Sequence, residues 1–179
     1  MTKLILIDQD GVLADFEKSV NIIWQNRYGT PLPIINRTHF YLHDELPQHT
    51  AELNDIYAQK GFFENLEPID GAITALRALL HHGLDVRICT APIRAYRHCA
   101  SEKFAWVERH LGSEWTKRII LTKDKTWVRG DVLIDDKPVI TGSLVPMWEH
   151  YLYDQPYNRA MDKPRVSWSD KQSWAFLLA

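Results

Sequence analysis

The chain is short of cysteine, of net charge and of long apolar runs, and each shortage excludes something. Only two cysteines, Cys89 and Cys99, occur in 179 residues. Cys89 closes an apolar run and reads as a small core residue rather than a redox centre. So few cysteines, with no signal-peptide pattern, lead us to expect a reducing, cytoplasmic setting. The formal net charge is -2, whereas general binders of nucleic acid or anionic membrane are usually basic. A small anionic substrate held by a few local cations is compatible with that charge. No apolar stretch approaches the roughly 20 residues that cross a bilayer. The eight histidines lack metal-ligand spacing, and His81-His82 stands at an expected helix end, where it suits the helix dipole. Internal repeats and low-complexity segments are missing too.

What is present is an ordinary globular composition, 45% hydrophobic and 25% charged, in a chain long enough for one core or a core with a small accessory domain. Leu4–Ile7 reads as a strand buried on both faces. Asp15 can cap a helix carrying Phe16, Val20, Ile23 and Trp24 that stops near Gly29. Pro31 and Pro33 interrupt, and a second helix is expected over Gln48–Lys60. No strand is evident between Phe16 and about Pro68, so residues 16–68 read as a small helical insert between core residues 1–15 and 69–179. The α/β rhythm then resumes. Helix Gly71–His82 is followed by strand Leu84–Cys89, and Ser101 is expected to cap a helix over Glu102–Leu111 with the stripe Phe104, Val107, Leu111. Strands Arg118–Leu121 and Asp131–Ile134 follow, with Leu144–Met147 and His150–Tyr153 as further strand candidates. Ser169 or Asp170 starts a last helix, and Trp106 and Trp127 read as core. The alternation implies an α/β fold with a parallel sheet, which binds ligands at the C-terminal ends of its strands.

At that edge the sequence concentrates polar groups. Leu4–Ile7 ends in Asp8-Gln9-Asp10-Gly11, Leu84–Cys89 ends in Thr90, and Asp131–Ile134 ends in Asp135-Asp136, while Lys123 and Lys125 follow another strand. In extended chain, Asp8 and Asp10 would lie about 6–7 Å apart on one side. Like charges so placed resist ionisation, and a bound cation is the simplest relief. Mg²⁺ prefers oxygen ligands and keeps room for water and phosphate, a demand that Asp8 with one acid of Asp135-Asp136 can meet. The suggested chemistry is phosphoryl transfer. A carboxylate can attack phosphorus to form an aspartyl-phosphate that water hydrolyses, and Asp10 is placed to move the protons. Thr90 and nearby backbone N–H groups could hold a phosphate oxygen.

Asp8–Leu13, Ile88–Pro92, the Lys125 region and Leu133–Asp136 resemble the four motifs of the haloacid dehalogenase superfamily in its phosphatase branch. Longer phrases resemble the 5'(3')-deoxyribonucleotidases: Asp10–Glu17, Phe62-Phe63 before Leu66-Glu67-Pro68, Glu102–Glu108, Leu121–Thr126 and Trp148-Glu149-His150. The resemblance implies a three-layer Rossmann-like core with a small helical cap inserted after the first strand. It implies Asp8 as nucleophile and metal ligand, and Asp10 as acid and base with its backbone carbonyl on the metal. Asp136 would be the third protein ligand, supported by Asp135, with Mg²⁺ as cofactor. Thr90 and Lys125 would bind phosphate, helped by Lys103 and Lys123. Phe16, Phe40, Tyr41, Leu42, Tyr57 and Phe63, with Ile93 from the core, would form an aromatic pocket for the base. The implied substrate is a nucleoside monophosphate, with no stable nucleic-acid or membrane partner; oligomeric state, a homodimer included, is left open. Four departures bear on base preference more than on reaction type. Ala91 replaces a serine, Lys123 an arginine, and Tyr41 and Tyr57 stand where tryptophans are expected.

Other readings fit less of the chain. An EF-hand needs more alternating acids and flanking helices, and the metal-binding acid pair of a glycosyltransferase leaves Thr90 and the second acid pair without a role. Three readings stay in competition with the nucleotidase: a phosphatase for another small phosphate, a nucleic-acid 3'-phosphatase, and a catalytically silent phosphate-binding module.

Overall fold

The computed structural model of the protein describes residues 2–178. Its centre is a six-stranded sheet, every strand pair parallel. The strands are β1 (Leu4–Ile7), β2 (Asp85–Thr90), β3 (Ile119–Leu121), β4 (Val132–Asp135), β5 (Glu149–Tyr153) and β6 (Arg165–Val166), in the order β3-β2-β1-β4-β5-β6. The winding direction therefore reverses at β1, and open α/β sheets place ligands at such a switch point. Register carries the catalytic edge: Ile7 pairs with Ile88 on one side and Ile134 on the other. The residues that follow, Asp8, Cys89-Thr90 and Asp135, thus leave the sheet side by side.

The two faces of the sheet are covered differently. Ile5, Ile7, Val86, Ile88, Val132 and Ile134 share one large core with helices α4 (Ala72–His81) and α5 (Cys99–Leu111), which follow three helices between β1 and β2. The opposite face carries a smaller cluster, Leu6, Cys89, Leu133 and Trp148, packed by Val128 and Ile140 from irregular chain. Among the described residues no long helix packs on that face.

The insert leaves and rejoins the core through a short neck. Asp15 N donates to Glu67 O at 2.7 Å, and Ile69 N to Leu13 O at 2.8 Å. Between them lie α1 (Phe16–Tyr28), α2 (Leu42–Glu45) and α3 (Thr50–Tyr57). Asp15 caps α1 by accepting from Lys18 N at 3.1 Å, and Gly29 ends it in the left-handed conformation. The apolar core runs without a break from the insert into the sheet, since Val20, Leu53 and Ile56 belong to the same cluster as Ile5 and Ile7.

Several expectations need correction. α5 begins at Cys99, and Ser101 lies inside its first turn, with its hydroxyl donating back to His98 O at 2.8 Å. Phe104 faces solvent while Glu102 and Lys103 are buried, because Glu102 accepts from Gly61 N and Phe63 N and Lys103 meets Asp10 and Thr90. Leu144–Met147 is irregular and exposed, and Trp127 is 66% exposed rather than core, with its indole N–H donating to Asp124. The two-residue β6 was too short to signal itself. The last helix is a single turn, α7 (Lys171–Trp174), after a short α6 (Ser113–Thr116), and continues as a 3₁₀ turn over Ala175–Leu178.

Candidate active site

The chain turns as soon as β1 ends. Asp8 N still donates to Ile134 O at 2.9 Å, but Gln9 O then accepts from both Leu13 N and Ala14 N at 2.8 Å. Asp8 and Asp10 are thereby aimed at different partners. Lys125 Nζ lies 2.8 Å from Asp8 Oδ1, and Lys103 Nζ lies 2.6 Å from Asp10 Oδ2. Both lysines are buried. The repulsion foreseen between the two acids is relieved first by these ammonium groups. Lys125 also donates to Asp135 Oδ2, and Lys103 donates to Thr90 Oγ1 at 2.9 Å.

The charges do not balance. Asp8 and Asp135 meet Lys125, Asp10 meets Lys103 and Asp136 pairs with neither, so four carboxyl groups share two ammonium groups, a formal surplus of two negative charges. Carboxylate oxygens of Asp8, Asp135 and Asp136 lie within 4.8 Å of one another. Asp136 Oδ2 accepts a hydrogen bond from Tyr157 OH, but Asp136 Oδ1 is buried with no partner. Burial pushes the Asp136 carboxyl well above the usual carboxylate range, and Asp135 and Asp8 push it further. Burial also raises Asp10, with Lys103 opposing. For Lys125, burial works to lower the ammonium, but Asp135 and Asp8 outweigh it and the group is raised. An all-oxygen donor set with surplus negative charge and an unpartnered buried oxygen fits a hard cation.

Gly11 makes the approach of Asp136 feasible. Its φ is +73°, and a Cβ there would stand 2.2 Å from Asp136 Oδ2. No side chain can occupy that slot while Asp136 keeps its place.

Over the acids opens a cleft of about 980 Å³, at the upper end of ordinary ligand pockets. Asp8, Asp10, Thr90, Lys125, Asp135 and Asp136 lie at its floor, and Phe16, Phe40, Tyr41, Leu42 and Tyr57 of the insert line it with Ile93 and Ala91 of the core. Phe16 packs against Tyr57 with ring centroids 5.2 Å apart. Exposed Lys123 also borders the cleft, its ammonium donating to Pro92 O at 2.9 Å. Two expected contact residues sit elsewhere. Phe63 is fully buried against Phe62 and Tyr96, and Lys103 is fully buried behind Thr90 and Asp10. Lys103 reaches the cleft only through those two residues.

Four site residues escaped the sequence reading, three of them close together in the chain. Gln155 Nε2 donates to Gly11 O at 2.8 Å, Tyr157 holds Asp136, and buried Asn158 donates from Nδ2 to Asp136 O and Tyr153 O, each at 2.8 Å. Tyr157 and Asn158 lie in the 3₁₀ turn Pro156–Asn158 after β5 and Gln155 caps it, a place that the parallel-sheet rule puts at the ligand edge. Their position was a signal; their residue types alone were not. Arg37 was missed as well, because it lies in a stretch with no periodicity.

The fold recurs in solved structures. The chain matches a haloacid dehalogenase family hydrolase from Deinococcus radiodurans with TM-score 0.54 and 19% identity, covering 93% of this chain and 90% of that one. It matches a Clostridium acetobutylicum protein described as a predicted phosphatase with TM-score 0.58 and 15% identity over the full length of both. The parallel sheet thus has the fold of the haloacid dehalogenase-type structures. A Bordetella bronchiseptica protein bearing the name "Putative 5'(3')-deoxyribonucleotidase" is 48% identical over 180 residues, 98% of this chain and 95% of that protein. The human cytosolic-type 5'(3')-deoxyribonucleotidase is 40% identical over 187 residues, covering 97% of this chain and 92% of its own. Residues 2–177 match the family model described as "5' nucleotidase, deoxy (Pyrimidine), cytosolic type C protein". The chain belongs to that family, and it is a hydrolase of phosphate monoesters. No helix among the described residues is long and apolar enough to cross a membrane.

Proposed function

We propose that the protein is a Mg²⁺-dependent nucleotidase that removes phosphate from deoxyribonucleoside monophosphates in the cytoplasm. The observation that carries this reading is the cleft itself, with Asp8, Asp10, Thr90 and Lys125 at its floor and the insert's aromatic rings along its wall. The phosphate enters over Asp8, where Thr90 and Lys125 hold its oxygens and Lys123 adds a point charge at the rim. An Asp8 carboxylate oxygen attacks phosphorus, and the bond from phosphorus to the ester oxygen breaks. Asp10 gives its proton to the departing nucleoside oxygen. Water then attacks the aspartyl-phosphate, Asp10 takes a proton from it, and the bond between phosphorus and Asp8 breaks to release inorganic phosphate. The metal would be held by the carboxylates of Asp8 and Asp136 and the backbone carbonyl of Asp10, with Asp135 supporting through Lys125. When bound, it supplies positive charge against the anion-on-anion repulsion of the attack.

The base would stack against Phe16, Phe40, Tyr41 and Tyr57, each stacked base being worth about 1–3 kcal/mol. Residues 16–68 are thus read as a specificity cap on a core of residues 1–15 and 69–179. A phosphate-release screen across ribo- and deoxyribonucleoside monophosphates and sugar phosphates, with and without Mg²⁺, tests the reading. The expected result is Mg²⁺-dependent release, strongest on deoxyribonucleotides and abolished by Asp8→Asn. Equal rates on sugar phosphates would defeat the nucleotidase reading, and normal turnover by Asp8→Asn would defeat the covalent step.

A further inference from the structure

Tyr157 stands between the acid cluster and the insert, and both of its faces of contact are built. Its hydroxyl donates to Asp136 Oδ2. Its ring carries the Arg37 guanidinium at 4.0 Å from the centroid, and Phe40 packs edge-on at 5.7 Å. Arg37 is itself buried and fully engaged: it pairs with Glu17 of α1 and donates to the backbone carbonyls of Phe40 and, at 3.0 Å, His39. The segment that presents Phe40 and Tyr41 to the cleft is therefore tied through Arg37 to Tyr157, and through Tyr157 to Asp136.

The chemistry at Asp136 makes that tie consequential. Its Oδ2 is occupied by the tyrosine hydroxyl, in the slot that Gly11 leaves open, while Oδ1 is buried with no partner. We infer that Tyr157 is a positioning residue that presents Asp136 to the cation through one oxygen only, and that Arg37 couples cation binding to occupation of the nucleoside wall. Groups that orient a metal's ligands commonly change its affinity by about 10–100-fold when removed. Coupling between two sites is reciprocal, so a nucleoside that orders the Phe40 segment tightens the cation and the cation tightens the nucleoside.

The inference rests on Asp136 being a cation ligand, and the test separates the two. Free Mn²⁺ is measured by electron paramagnetic resonance during titration of the full chain, with and without a saturating unphosphorylated deoxyribonucleoside. Asp136→Asn should weaken Mn²⁺ binding; if it does not, the cation assignment itself fails. Tyr157→Phe removes only the hydroxyl and should weaken Mn²⁺ binding about tenfold. Arg37→Lys keeps a charge but loses the stacked, forked contact, and should reduce the nucleoside's enhancement of Mn²⁺ binding while leaving nucleoside-free affinity within about twofold. Thermal unfolding in chelator confirms that each variant is folded. An unchanged Mn²⁺ affinity in folded Tyr157→Phe overturns the positioning role. Undiminished enhancement in folded Arg37→Lys, or none in the wild type, overturns the coupling.

Discussion

Replacing Lys103 by methionine is the sharpest test of how the acids are balanced. The side chain is buried, and its ammonium is 2.6 Å from Asp10 Oδ2 and 2.9 Å from Thr90 Oγ1. Methionine keeps the length and apolar stem but leaves Asp10 without its cation. Breaking a buried pair by removing one partner costs about 3–5 kcal/mol. Asp10 keeps a side-chain exposure of 23%, so the lower end applies, about 3 kcal/mol. For a chain of this size that corresponds to a melting temperature lower by roughly 6–12 °C. Its pH dependence follows from Asp10, whose carboxyl burial already raises and Lys103 holds down. Without Lys103 the folded-state value rises further above the unfolded one, so folding favours the protonated acid. Stability is then lost as pH rises above the unfolded carboxylate range near 4. Thermal unfolding in chelator should show a deficit that is small at about pH 4 and large at about pH 7. Lys103→Met/Asp10→Asn should recover much of the melting temperature without recovering activity. A deficit under about 1 kcal/mol at neutral pH, below the range for a broken buried pair, would refute the reasoning, as would a deficit equal at both pH values.

Two further outcomes are expected. Gly11→Ala places a methyl where Asp136 Oδ2 lies 2.2 Å away and demands φ +73° of an alanine, so Mg²⁺-dependent phosphate release should fall at least about tenfold, as for a displaced metal ligand; wild-type rates would remove Gly11 from the site's construction. Glu45 accepts from Thr38 N and His39 N, each at 2.9 Å, and Thr38's backbone bond is the largest cause holding its carboxyl down to about 2. The stability it lends to the segment before Phe40 is full above the unfolded carboxylate range near 4 and is lost as pH falls toward about 2. Glu45→Gln should raise KM for nucleotides more than it lowers kcat and flatten the acid dependence of amide exchange at Thr38 and His39.

Much of the core was legible because its signals are local. Four aliphatic residues ending in Asp8 read as a buried strand, and Asp15 and Gly29 marked both ends of α1 by their own cap chemistry. Asp8, Thr90 and Asp135-Asp136 could be placed together because parallel strands end on one edge. Where a signal depended on what lies opposite, it misled. Trp127 and Phe104 are apolar by type, but they lie outside the packed faces. Glu102 and Lys103 are charged, yet α5 buries both because one accepts from Gly61 N and Phe63 N and the other meets Asp10.

The sequence by itself determined the alternation of strands and helices and the acids at the strand ends, since each depends on neighbouring residues along the chain. Only the tertiary structure decided which acid meets which lysine. It also laid Arg37 on the ring of Tyr157, 120 positions away in the numbering, and set the Tyr157 hydroxyl on Asp136. Such pairings depend on strand register and on the turn at Gly11, which set distances that no local pattern encodes.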